Sequence, residues 1–153
     1  MTKTPDVHHA NTARAQEQAW SLVFTCWLIA ASATLGALFF SEVMHVAPCV
    51  LCWYQRIFMF PLVVVLPLGL FPLDPKIVRY ALPMSALGAA IALFHLLLTW
   101  GVIPESIRPC TQGIPCGTNQ FELFGFVSIP LMSLFAFSII AALLVAAHRS
   151  LSK

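Results

Sequence analysis

Trp20-Ser-Leu-Val-Phe-Thr-Cys-Trp-Leu-Ile-Ala-Ala-Ser-Ala-Thr-Leu-Gly-Ala-Leu-Phe-Phe40 runs for 21 residues without a charge. A helix of that length crosses a hydrocarbon core of roughly 30 Å. The remainder of the chain has the same character: 59% of its 153 residues are hydrophobic, 9% are charged, and the mean hydropathy is +0.87. Soluble domains carry about 25% charged residues, so this composition belongs in a bilayer. A net charge of +2 gives no case for nucleic acid as a partner.

Downstream of Phe40, Glu42 and His45 mark a short polar connection. Ile57–Leu73 is uncharged over 17 residues. Pro61 and Pro67 would kink it, which is tolerable where neighbouring helices satisfy the freed carbonyls. A tight polar turn, Asp74 to Arg79, precedes a third span at Tyr80–Ile103, interrupted only by His95. Pro104 to Glu122 is polar and rich in turn residues, and Gln120 to Phe126 alternates polar and aromatic residues as an interfacial segment does. Leu123–Ala147 is a fourth span. The expected fold is an all-α integral membrane protein, a bundle of four transmembrane helices. Its spans are near 20–40, 57–73, 80–103 and 123–147. Outer loops lie at 41–56 and 104–122, and polar tails at 1–19 and 148–153. The first tail reads as disordered. A secretory signal ending at Ala31-Ser32-Ala33 is the competing reading, but Leu35 to Phe40 stays apolar where mature sequence should turn polar.

Four spans put both termini on one side. Lys3, Arg14, Lys76, Arg79, Arg149 and Lys153 lie there, against Arg56 and Arg108 on the other. The positive-inside rule then makes the termini cytoplasmic. The other side faces an oxidising space, with Trp53, Tyr54 and Trp100 at the level of an outer aromatic belt.

Four of the five cysteines form two close pairs on that outer side, Cys49/Cys52 and Cys110/Cys116. Cys49, Cys52 and Arg56 stand at i, i+3 and i+7, one narrow face of a helix opened by Pro48. A helix N-terminus and a nearby guanidinium both favour thiolate over thiol. Two static disulfides are the plain alternative. A four-cysteine zinc site is another, disfavoured because Cys-x5-Cys is loose and an oxidising space consumes thiolate ligands; no metal is expected. Arg56 either snorkels to the headgroups or stabilises Cys52 as thiolate and hydrogen-bonds an electron acceptor. His95, about eight residues or roughly 12 Å below the outer end of its span, either bonds a neighbouring helix or reaches the same acceptor. Cys26 reads as a packing residue, and Glu42 and Gln55 as caps or interface residues. No haem pair and no dinucleotide fingerprint offers an electron sink, and a lipid-soluble quinone fits the position.

Pro48-Cys-Val-Leu-Cys-Trp-Tyr-Gln-Arg56 resembles the signature of the DsbB family of thiol:quinone oxidoreductases. The likeness to its short-loop, BdbC-like branch extends through Phe39-Phe40-Ser41-Glu42 and Tyr80-Ala-Leu-Pro-Met84. It continues through Pro109-Cys-Thr-Gln-Gly-Ile-Pro-Cys116 and Phe124-Gly-Phe-Val-Ser-Ile-Pro130. The resemblance implies an enzyme that reoxidises an extracytoplasmic thioredoxin-fold oxidase of the DsbA/BdbD kind. It would pass electrons to a membrane quinone, ubiquinone or menaquinone, and so support disulfide formation in exported proteins. It further implies that Cys49 and Cys52 are the quinone-proximal pair, Cys52 facing the ring beside Arg56 and His95, and that Cys110 and Cys116 exchange with the partner. Five residues between Cys110 and Cys116 are far fewer than in the longer-looped branch. A vitamin K epoxide reductase-like protein would carry its Cys-x-x-Cys after the loop pair, not before it. A transporter would be expected to hold a carboxylate inside a span, and none of the four does.

Overall fold

The computed structural model describes residues 5–71, 73–103, 122–123 and 127–152. Among them, four helices are long and apolar enough to cross a membrane: α1 (Pro5–Leu38), α2 (Val50–Leu68), α3 (Lys76–Thr99) and α4 (Ile129–Leu151). Each packs on its sequence neighbour, and α4 returns against α1 to close the bundle. Arg108, Cys110 and Cys116 lie outside the described residues.

Helical spacing decides which side chains meet at the centre. α1 buries Ala19, Val23, Cys26 and Ala30; α2 buries Leu51, Gln55, Met59, Leu62 and Leu66. α3 supplies Val78, Ala81, Ser85, Gly88, Ala92 and His95, and α4 supplies Phe137, Ile140, Leu144 and Ala147. The steps of three and four put each set on one face. Leu35, Val64, Leu68, Phe135 and Ile139 point outward; lipid is the solvent that suits such a surface. Small residues let helices approach closely. A Cβ on Gly88 would overlap the fully buried ring of Phe137, so this glycine is the seat on which α4 rests.

The proline in the last turn of α2 finds the compensation expected of it. Pro67 has no N–H for the carbonyl of Val63, one turn earlier. The indole Nε1–H of Trp27, on α1, donates to that carbonyl at 3.1 Å.

Element ends differ from the uncharged runs. The polar residues after Pro5 are helical rather than disordered. Pro5 occupies a first helical position, where it fits, and Ala10, Ala13, Ala15, Gln16 and Glu17 are good helix formers. α2 opens at Val50, inside the expected loop, because Cys49 in extended conformation serves as its N-cap. α3 begins at Lys76, after the Asp74 carboxylate accepts the Lys76 N–H (2.9 Å), and ends at Thr99. α4 begins at Ile129 rather than at 123. Before it, Glu122–Leu123 (β1) pairs antiparallel with Val127–Ser128 (β2), and Pro130 sits in the first helical turn. α4 runs to Leu151, with His148 and Arg149 at its negative end. Between α1 and α2 the chain passes through a π-helical turn, Phe39–Val43, and reverses at His45, whose φ of 53° is left-handed.

Candidate active site

Cys49 ends the connection from α1, and Cys52 completes the first turn of α2. Their Sγ atoms stand 3.0 Å apart. The Cys52 backbone N–H points at Cys49 Sγ (3.4 Å), so the open end of the helix is aimed at Cys49. Leu51 and Leu98 pack with Cys49 and fix the start of α2 against the end of α3.

His95 reaches the same place from α3. Its Nε2 is 3.7 Å from Cys49 Sγ, and its Nδ1 is 3.2 Å from Gln55 Nε2. With the Gln55 amide donating to Nδ1, a neutral ring carries its proton on Nε2, facing the sulfur. Because α3 ends at Thr99, His95 is one turn from the helix end, not two. The expected bond to a neighbouring helix is made, to Gln55 on α2, and the ring also meets the dithiol, a contact that was not expected of it. Gln55, expected as a cap or interface residue, is buried at the centre of the site. Its signal was its place three residues after Cys52, on the face continued by Met59.

The charge environment favours an anion at Cys49. The Cys52 thiol facing it holds the Cys49 thiol well below the ordinary thiol range; burial opposes this, and His95 and the Cys52 N–H reinforce it. Arg56 is elsewhere. Its Nη2 donates to the carbonyl of Ala37 (2.7 Å), in the last turn of α1, and its guanidinium lies 5.3 Å from the Trp53 ring centre. A cation suits the negative end of α1.

Cys49, Cys52, Gln55, Arg56 and His95 line one cavity of about 570 Å³, within the range of small-molecule sites. From Ala37 it follows α1 down to Thr25, about 18 Å at helical rise. Ser32, Ala33, Gly36 and Ala37 on α1 and Met132, Ser133 and Ala136 on α4 form its walls. All but Met132 are small, and they leave the gap, a role that reading for charges and cysteines missed. Cys26 stays apart, fully buried, its sulfur 3.7 Å from the Ile140 carbonyl. It packs, as expected.

Residues 17–147 match the family described as "Disulfide bond formation protein DsbB". The chain is 50% identical over 131 residues to a "Probable disulfide formation protein" of Metapseudomonas resinovorans, covering 85% of this chain and 91% of the relative. It is 42% identical over 118 residues to "Disulfide bond formation protein C" of Bacillus subtilis, covering 77% and 86%. It is 44% identical over 131 residues to a "Probable disulfide formation protein" of Deinococcus radiodurans, covering 80% and 85%. No solved structure matches. With a cysteine pair at the mouth of a four-span bundle and a family match along nearly its whole length, the chain belongs to the DsbB family and is a multi-pass membrane oxidoreductase that generates disulfides.

Proposed function

We propose that this chain takes electrons from an extracytoplasmic thioredoxin-fold oxidase and delivers them to a membrane quinone, using Cys110/Cys116 and then Cys49/Cys52. The termini face the cytoplasm of a bacterial cell membrane, as the six-to-two distribution of cations supports, and the cysteines face outward. The reduced partner attacks the Cys110–Cys116 disulfide, and exchange through mixed disulfides passes two electrons to the Cys49–Cys52 disulfide.

The observation that carries the quinone reading is the cavity. Its walls along α1 and α4 are mainly apolar, with a few hydroxyls such as Ser32 and Ser133, as suits a lipid-soluble ligand, and its ionisable groups lie at one end, where both sulfurs, Arg56 and His95 meet. Cys49, Cys52, Arg56 and His95 would hold a quinone there, which would supply the sink for the two electrons that the dithiol gives up as it closes to a disulfide. Arg56, fixed to Ala37, offers N–H groups and positive charge to an acceptor oxygen. His95, fixed by Gln55, exchanges a proton with Cys49. The lipid-like walls exclude water.

Purified protein should oxidise a reduced thioredoxin-fold dithiol only when quinone is supplied. Cys49→Ser or Cys52→Ser should abolish this turnover. Cys110→Ser or Cys116→Ser should block the protein partner. Partner oxidation surviving in all four variants would overturn the relay. An impermeant thiol reagent added outside should label Cys110 or Cys116 after reduction; labelling only in inverted vesicles would reverse the orientation.

A further inference from the structure

We propose that reduced Cys49 and Cys52, together with His95, form a binding site for a thiophilic d10 cation, Zn²⁺ or its congener Cd²⁺. The two sulfurs and a ring nitrogen of His95 all lie within 4.8 Å of one another. A tetrahedral ion with metal–sulfur bonds of about 2.3 Å and metal–nitrogen bonds of about 2.0–2.1 Å sets its ligand atoms about 3.5–3.8 Å apart. Cys49 Sγ to His95 Nε2 is already 3.7 Å. The sulfurs, at 3.0 Å, need to part by less than about 1 Å, a small side-chain rotation at the first turn of α2.

The surroundings suit such an ion. Sulfur and imidazole donors select zinc and its soft relatives over magnesium or calcium. Ligation through Nε2 moves the ring proton to Nδ1, where Gln55 accepts it with its carbonyl oxygen once the amide turns over. A hydrogen-bond partner of that kind holds a metal-binding imidazole in place. A divalent cation with two thiolates sums to zero charge, so the complex adds no net charge to an apolar wall. The cavity side leaves a fourth position for water.

Binding is an exchange of protons, not of electrons: both sulfurs bind as thiolates, a sulfur still carrying a proton loses it to solvent, two metal–sulfur bonds form, and the sulfur oxidation state is unchanged. The disulfide has no thiolate to offer. Only the reduced protein binds the ion, and the bound ion prevents the two sulfurs from closing. The cation is therefore a redox-gated inhibitor of reoxidation, reversible by chelation.

The test uses full-length Cys110→Ser/Cys116→Ser protein in detergent, depleted of quinone and reduced with a phosphine, titrated with Co²⁺ as a spectroscopic substitute. The expected result is one ion per chain, tetrahedral ligand-field bands, a sulfur-to-metal charge-transfer band, and displacement of Co²⁺ by Zn²⁺. Cys52→Ser should lose the site, and Gln55→Leu should weaken it about 10- to 100-fold. His95→Ala should lose the tetrahedral bands, and His95→Cys should restore them with stronger sulfur charge transfer, which separates loss of a ligand from loss of fold. The proposal fails if no such bands form. It fails equally if they form in the wild type but not in the loop-cysteine variant, or if they are indifferent to both His95 substitutions. These spectra report the site whether or not a quinone is the acceptor.

Discussion

His95 Nε2 faces Cys49 Sγ at 3.7 Å across the α2–α3 interface, so the histidine addresses the first cysteine of the motif. Arg56, which sequence spacing joins to Cys52, also donates a hydrogen bond to Ala37 on α1. His95 and the Cys52 N–H both address Cys49.

A pH profile follows. Because the Cys49 pKa is lowered, its thiolate persists as pH falls below the ordinary thiol range, and it gains a proton only near the lowered value. In reduced Cys110→Ser/Cys116→Ser protein, alkylation at Cys49 followed by mass spectrometry should stay fast into mildly acidic solution. His95→Ala removes one lowering influence, so the fall in rate should move to higher pH. Cys52→Ala removes the largest one and should move it further.

For Arg56 the expected defect is in acceptor binding. A hydrogen bond to a charged group contributes about 1.5–3 kcal/mol, or roughly 10- to 150-fold in an equilibrium. Arg56→Met should raise the KM for quinone by that order and leave the alkylation profile of Cys49 in place. Arg56→Lys should recover part of the loss, since an ammonium keeps charge but not the planar fork that reaches both Ala37 and an acceptor. A shifted Cys49 profile with unchanged quinone kinetics would give Arg56 the opposite role.

Trp27 and Pro67 should be energetically coupled through one carbonyl. Trp27→Phe removes the indole donor to Val63 and should cost about 0.6–1.7 kcal/mol, the range of interhelical hydrogen bonds in membranes. In a Pro67→Ala background residue 67 supplies its own N–H to Val63, so the same substitution should cost less. Unfolding of the four proteins in mixed micelles gives the double-mutant cycle.

Gly88→Ala tests the α3–α4 seat. The added methyl meets the buried Phe137 ring, and overpacking of this kind costs about 1–3 kcal/mol. The variant should unfold at lower temperature or denaturant concentration, and Phe137→Leu in the same chain should return part of the loss. A fully stable Gly88→Ala protein would mean that the two helices separate at no cost.

Four uncharged runs were enough to specify four spanning helices, because a backbone in hydrocarbon must satisfy its own hydrogen bonds and few structures do so. The Cys-x-x-Cys pair on the first turn of a helix was legible for a similar reason: its geometry is local, set by residues three apart and by Pro48 before them. Helix ends were less legible, since Cys49 as an N-cap, the Asp74 carboxylate and the helix-forming residues after Pro5 act through the backbone and leave no mark in hydropathy. Contacts between helices were decided only by the tertiary arrangement. His95 and Gln55 are 40 residues apart and meet because α2 and α3 bury those faces against each other. Arg56 reaches the Ala37 carbonyl, in the last turn of α1, only because α1 and α2 pack side by side. The cavity is bordered by small residues on α1, Ser32, Ala33, Gly36 and Ala37, where side chains from α2 and α4 also line it. Periodicity places a residue on a face of its helix, but which neighbour that face meets depends on how all four helices pack at once.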